Sequence, residues 1–153
     1  MPKNDKDLVL KKFGTKVTWD ESSENAFFVD TKNLIDVMKF LKSNGYDFLS
    51  DITSVDYKDK FRVIYQLFQF AGSGHLTVKV DIDHENPEIN TLCGLWDSAN
   101  WLEREVYDMM GIRFKNHPNL KRILMWEGFD GFPLRKDFVH KPTKYQGRRA
   151  LKR

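Results

Sequence analysis

The sequence predicts an α+β fold: a single domain with a mostly antiparallel sheet of about four strands, two main helices, and an extended irregular C-terminal segment. Three patterns carry that expectation. Phe61, Val63, Tyr65 and Leu67 share one face of a strand, and Leu76, Val78, Val80 and Ile82 alternate with polar residues, the period of two expected where one sheet face is buried. Leu34, Val37, Met38 and Leu41 fall at i, i+3, i+4 and i+7, a single apolar helix stripe. Residues 112–138 hold several Gly and Pro and no long period, so loops and short pieces are expected there.

Taken in order, Asp5 to Phe13 reads as a short helix stopped by Gly14. Val17 and Trp19 alternate with polar neighbours, as in a short strand, and Ala26 to Val29 reads as an edge strand. Residues 1–29 are taken as a partly ordered segment ahead of a domain at 30–138. Asp30 or Thr31 is placed to cap the next helix, and Asn44-Gly45 to end it in a left-handed turn. A kinked strand follows at Phe48 to Tyr57, then a turn at 58–60, the strands around 61–69 and 76–82 joined by a loop at 71–74, and a fourth short strand at Glu88 to Cys93. Asn100 and Glu103 have the spacing of a capping box for a second helix, with Leu102, Val106, Met109 and Met110 as its stripe and Gly111 as its stop. Arg104 and Asp108 stand four apart on another face as an ion pair. Residues 139–153 form a basic tail, expected to be disordered in isolation.

Composition excludes several functions. The 153 residues suit one domain that buries roughly two-thirds of its unfolded surface. A net charge of +3, from 25 basic and 22 acidic residues, does not by itself point to nucleic acid or membrane. Cys93 is the one cysteine, so neither an internal disulfide nor a cluster with about four thiolate ligands can form. The polar N-terminus lacks the apolar run of a signal peptide, and no stretch has the roughly 20 apolar residues of a membrane span.

Chemical motifs are sparse. Gly72-x-Gly74 lacks the third glycine and the following helix that a dinucleotide site needs. Asp83-His84-Glu85 reads as solvated charge, because adjacent residues on a turn point apart. Glu103, Glu105 and Asp108 could handle protons, but ion pairs and water account for them better. His117, before a proline, reads as a turn anchor. Arg135-Lys136-Asp137, between Leu134 and Phe138, suits either a segment laid against another surface or a solvated loop. A free-standing RNA-binding module is a further alternative, resting on the basic tail and an aromatic-bearing sheet, without the strand motif that would support it.

Residues 103–124 resemble the signature of a known family. Glu103-Arg104-Glu105, two residues, Asp108, the apolar pair Met109-Met110, six residues, His117, three residues, Lys121, one residue (Arg122) and Ile123-Leu124 reproduce its spacing throughout. Trp101, Gly111-Ile112, residues 133–138 and the strand end at Asp56-Tyr57 also resemble it. The family is the 30 kDa subunit of respiratory complex I, its C-subunit, and the resemblance covers about residues 30–138. It implies a mixed or antiparallel sheet beside helices, and a place in the hydrophilic arm of NADH:quinone oxidoreductase on the cytoplasmic side of the bacterial inner membrane. Complex I subunits D, B and I are implied as partners, with D the main one and membrane contact only through the complex. The resemblance implies no cofactor on this chain and no active site; FMN, iron–sulfur clusters and quinone belong to partner subunits. Glu103, Arg104, Glu105 and Asp108 would make ion pairs within and between subunits, and His117, Arg122, Arg135, Lys136 and Asp137 would fix the C-terminal segment against the main partner. A related subunit of a membrane-bound hydrogenase or a ferredoxin- or F420-dependent quinone reductase is the nearest alternative.

Overall fold

The computed structural model describes residues 3–139, with side chains from residue 6 onward. The expectation for the basic tail falls outside them, apart from its first residue. Helix α1 (Lys3–Phe13) runs into a single tight turn, then strands β1 (Val17–Trp19) and β2 (Ala26–Val29), helix α2 (Leu34–Ser43), strands β3 (Phe48–Asp56), β4 (Lys60–Phe68), β5 (His75–Asp83) and β6 (Glu88–Asn90), helix α3 (Ala99–Met110) and strand β7 (Arg113–Lys115).

The main sheet has five strands in the order β1-β2-β5-β4-β3, antiparallel except for the parallel β2–β5 pair. The β3–β4–β5 meander follows from the period-2 pattern, which leaves Phe61, Val63, Tyr65, Leu67, Leu76, Val78 and Val80 fully buried on one face. The α2 stripe of Leu34, Val37, Met38 and Leu41 joins the same core, together with Ala99, Val106, Met109 and Met110 of α3. On the other face Asp81 takes Lys60 at 2.7 Å and Arg62 at 2.6 Å, and the Arg62 guanidinium lies 4.6 Å from the Phe28 ring and 5.0 Å from that of Tyr57. The kink in β3 is a register shift between Leu49 and Asp51.

Four expectations need correction. Strand β2 is interior rather than at the edge: Phe27 pairs with Trp19 on one side and Val78 on the other, and an apolar run such as 26–29 suits a strand flanked on both sides. Strand β6 does not extend the main sheet; it forms a parallel ribbon with β7, a strand too short to show a period in the sequence. The residue at the start of α2 is Asn33, without a side-chain cap; Asp30 instead accepts the Asn33 N–H through its carbonyl. Helix α3 starts after Ser98, whose hydroxyl donates to the Leu49 carbonyl, and the Asn100–Glu103 capping box does not form because Glu103 turns inward.

Both main helices stop on a left-handed glycine, Gly45 (φ +91°) and Gly111 (φ +72°). Their surroundings differ. A Cβ on Gly45 would meet Gln69 at an ordinary 3.6 Å, whereas one on Gly111 would lie 2.5 Å from the Phe132 ring and 2.7 Å from Arg135. Gly45→Ala is therefore expected to lose about 1 kcal/mol of stability for its backbone conformation alone, and Gly111→Ala distinctly more, about 3 kcal/mol, in denaturant titrations of both variants.

Candidate functional site

Helix α3 carries two carboxylates, Glu103 and Asp108, with no solvent exposure. Five positions apart, they serve different parts of the chain.

Asp108 faces the segment that follows the helix. One carboxylate oxygen accepts the consecutive N–H groups of Ile123, Leu124 and Met125 at 2.9, 2.7 and 2.9 Å, and the other accepts Arg122 Nη1 at 2.8 Å. Successive N–H groups converging on one oxygen make an anion nest. Burial pushes the Asp108 pKa up, but the three N–H groups and Arg122 outweigh it and hold the group below the usual carboxylate range. The expected Arg104–Asp108 pair is absent. Arg104 lies over the Trp101 ring at 4.9 Å and donates to the Lys121 carbonyl, because four short bonds outcompete one helical ion pair of a few tenths of a kcal/mol.

Residues 131–139 are held by the end of α3 and the end of β3. The Leu134 N–H and Arg135 Nε donate to the Met109 and Met110 carbonyls at 3.1 and 2.6 Å, which sets a cation on the negative end of the helix. The Arg135 guanidinium sits 5.1 Å from the Phe61 ring and 4.8 Å from that of Phe132. The Lys136 N–H donates to buried Asp56, which also accepts the Lys58 N–H and faces His84 Nε2 at 3.4 Å. Burial raises the Asp56 pKa, but these donors bring it below the ordinary value. His84 is not the solvated charge expected: it stacks on Phe61 at 4.5 Å with its side chain 15% exposed. Residue chemistry alone does not single out Asp56, whose only sign is the likeness of Asp56-Tyr57 to a family strand end; His84 reads with Asp83 and Glu85 as solvated charge, because its partner Phe61 is distant in sequence.

Glu103 faces the loop after β6. It accepts the Thr91 hydroxyl at 2.5 Å and the Leu92 N–H at 2.6 Å, with Cys93 Sγ at 3.6 Å. Burial nevertheless dominates and pushes its pKa up to about 7. His117 Nε2 lies 3.9 Å away, but it donates to the Asn100 carbonyl while Nδ1 accepts the Asn119 N–H. Burial lowers the His117 pKa, outweighing the Asn100 bond that raises it, and acceptance at Nδ1 requires the neutral ring. His117 is thus the expected turn anchor. Cys93, Glu103 and His117 have metal-ligand atoms within 4.8 Å of one another. Both ring nitrogens of His117 are already engaged, so the trio fits a hydrogen-bonded core cluster and not a ligand set.

The remaining named residues face outward. Glu105, Lys121, Lys136 and Asp137 are exposed, and Asp137 joins Trp126, Phe129, Phe132, Arg135 and Phe138 around an open cleft of about 550 Å³. Beside them stand Trp101 (64% exposed), Leu124, Trp126, Leu134 and Val139, apolar side chains largely in solvent. Among the described residues no helix is long and apolar enough to cross a membrane.

Residues 27–144 match the family described as respiratory-chain NADH dehydrogenase, 30 Kd subunit. The chain is 40% identical over 148 residues to the C-subunit of NADH-quinone oxidoreductase from Geotalea uraniireducens, covering 92% of this chain and 85% of that one. It is 44% identical over 116 residues to the same subunit from Moorella thermoacetica, covering 74% and 78%. Among solved structures, the trypsin-resistant fragment of Nqo5 matches with a TM-score of 0.65 and 32% identity, over 74% of this chain and 98% of the fragment. A chain of the archaeal membrane-bound sulfane sulfur reductase, a respiratory membrane complex, matches with a TM-score of 0.74 and 25% identity, over 89% and 84%.

Two outcomes follow from the buried carboxylates. Asp108→Asn keeps the shape but removes the charge facing Arg122, so a loss of about 3 kcal/mol and faster proteolysis within 121–139 are expected. Glu103 has a raised pKa in the folded state, so its contribution is fully present below the unfolded value near 4.5 and is lost as pH rises through about 7. The stability of Glu103→Gln relative to wild type should therefore rise between pH 5 and 8, and a difference that stays level across that range would refute the assignment.

Proposed function

This chain belongs to the 30 kDa subunit family of respiratory-chain NADH dehydrogenase, and from that membership we propose that it is a non-catalytic structural subunit in the peripheral arm of a proton-translocating NADH:quinone oxidoreductase. In this reading its partners are complex I subunits D, B and I, with D the chief docking surface, on the cytoplasmic side of the bacterial inner membrane. FMN, iron–sulfur clusters and quinone are held by partner subunits, and this chain supplies no active site.

One observation carries the reading. Asp108 of the signature, with Arg122 and Arg135, is engaged inside the chain, holding 121–139 on α3, while Trp101, Leu124, Trp126 and Leu134 are left in solvent. Buried charge here positions a surface, and exposed aromatic and aliphatic groups of this size mark contact sites. Because Arg135 points inward, reversing its charge would loosen the chain's own segment as well as any contact. A second reading, an equivalent subunit of a related membrane-bound assembly, is supported by the likeness to the sulfane sulfur reductase chain. The electron donor distinguishes the two.

Leu134→Asp and Trp126→Asp change exposed side chains and should leave thermal unfolding of the isolated chain within about 2 °C of wild type. Each should lower the NADH:quinone reductase activity recovered with the tagged chain from detergent-solubilised membranes about tenfold, as loss of an apolar anchor implies. Normal recovery of an assembled complex that no longer turns over would instead indicate chemistry on this chain.

A further inference from the structure

A second cleft, of about 460 Å³, lies between α2 and the β6–β7 ribbon and shares no residue with the aromatic one. Its wall has two lysines, Lys39 and Lys115, two amides, Asn90 and Asn116, and an apolar side of Ile35 and Leu95, and it includes no carboxylate. We propose that this cleft docks an acidic segment of a partner subunit, a carboxylate with an apolar residue next to it. The inference rests on the reading of the chain as an assembled subunit.

The donors are poised and open. Among the described residues the Lys39 ammonium and the Asn90 and Asn116 amides have no hydrogen-bond or ionic partner. Lys42, one turn beyond Lys39, shows the contrast, since it donates to the Leu95 carbonyl and lies over the Trp96 ring at 5.6 Å. The parallel register places Asn90 beside Lys115, whose ammonium reaches Glu88 at 2.8 Å. The Lys115 side chain is 53% exposed, which leaves donors for a second acceptor. Asn116 holds a left-handed backbone (φ +64°) at the exit of β7, a conformation asparagine adopts more readily than other non-glycine residues.

The chemistry selects among anions. Lys39 brings an uncompensated positive charge and the amides bring directed donors, so the ligand is anionic and accepts hydrogen bonds. Ile35 and Leu95 pack on the core and offer their outer sides to the cleft, a wall that a bare inorganic ion would leave wet and an acidic side chain with an apolar neighbour would cover. The cleft has no aromatic platform for stacking bases, which argues against a nucleic-acid strand.

The test uses the intact complex carrying this chain, purified in mild detergent. A carbodiimide joins a lysine directly to a carboxylate in contact with it, and mass spectrometry of the digest reads the pair. The expected result is a link from Lys39 or Lys115 to an Asp or Glu of another subunit. Lys39→Glu should lower the recovered complex about tenfold, the equivalent of about 1.4 kcal/mol, while Lys39→Arg restores it. The proposal is overturned if the complex is intact yet these lysines link only within their own chain and Lys39→Glu assembles like wild type. It is also overturned if inorganic phosphate alone shields Lys39 from acetylation in a complex that gives no such link, which would make the cleft a simple anion site. In either case the structural-subunit reading stands; a tagged chain that purifies without redox subunits would remove both.

Discussion

A carboxylate with no exposure to water persists in its charged form only when its partners replace the lost hydration. At Asp108 three consecutive backbone N–H groups and one guanidinium do so. The same contacts decide where the last sixth of the described chain goes. Residues 116–139 contain no helix or strand, so they have no ladder of their own to hold them. Arg122 extends the Asp108 contact to the Gly131 carbonyl and lies 5.0 Å from the Phe132 ring. Arg135 then closes onto the end of α3, and Lys136 onto Asp56. An irregular segment is thereby given one course by a few charge-assisted bonds, each stronger than a neutral one.

The same helix shows how local surroundings separate two similar groups. Asp108 meets N–H groups and a cation and stays ionised; Glu103 is more deeply enclosed and meets fewer donors, and its pKa rises to about 7. Their linkage to pH consequently has opposite signs. Both are enclosed, and His117 beside Glu103 has each ring nitrogen committed. Glu103 is enclosed by Thr91, Leu92 and Cys93, an arrangement suited to rigidity.

Charge placed inside and aromatic surface left outside fit the structural role proposed above. Packing fixes the backbone of 121–139, and that rigidity lowers the ordering entropy a partner must overcome when it binds Trp126, Leu124 or Leu134. The residues that identify the family thus do both jobs: Asp108 is turned inward, while Trp101, Leu124 and Leu134 are offered to solvent.

The sequence by itself determined the meander, both main helices and their glycine stops, because these follow from local period and backbone preference: the stripe at Leu34, Val37, Met38 and Leu41 and the alternation through β4 and β5 are buried as their spacing requires. It also carried the family likeness, through charges at fixed spacing. Tertiary structure alone decided which partner each charge takes. Asp108 is four residues from Arg104 yet pairs with Arg122, fourteen away, and Glu103 abandons a local cap for Thr91 and Leu92. It alone decided the interior place of β2 and the β6–β7 ribbon as well, since strands of three or four residues show too little period to reveal their neighbours. The physical reason is common to all of these: a local pattern encodes which side of an element is apolar, whereas a buried charge or a strand edge is satisfied by whatever the whole chain brings to it.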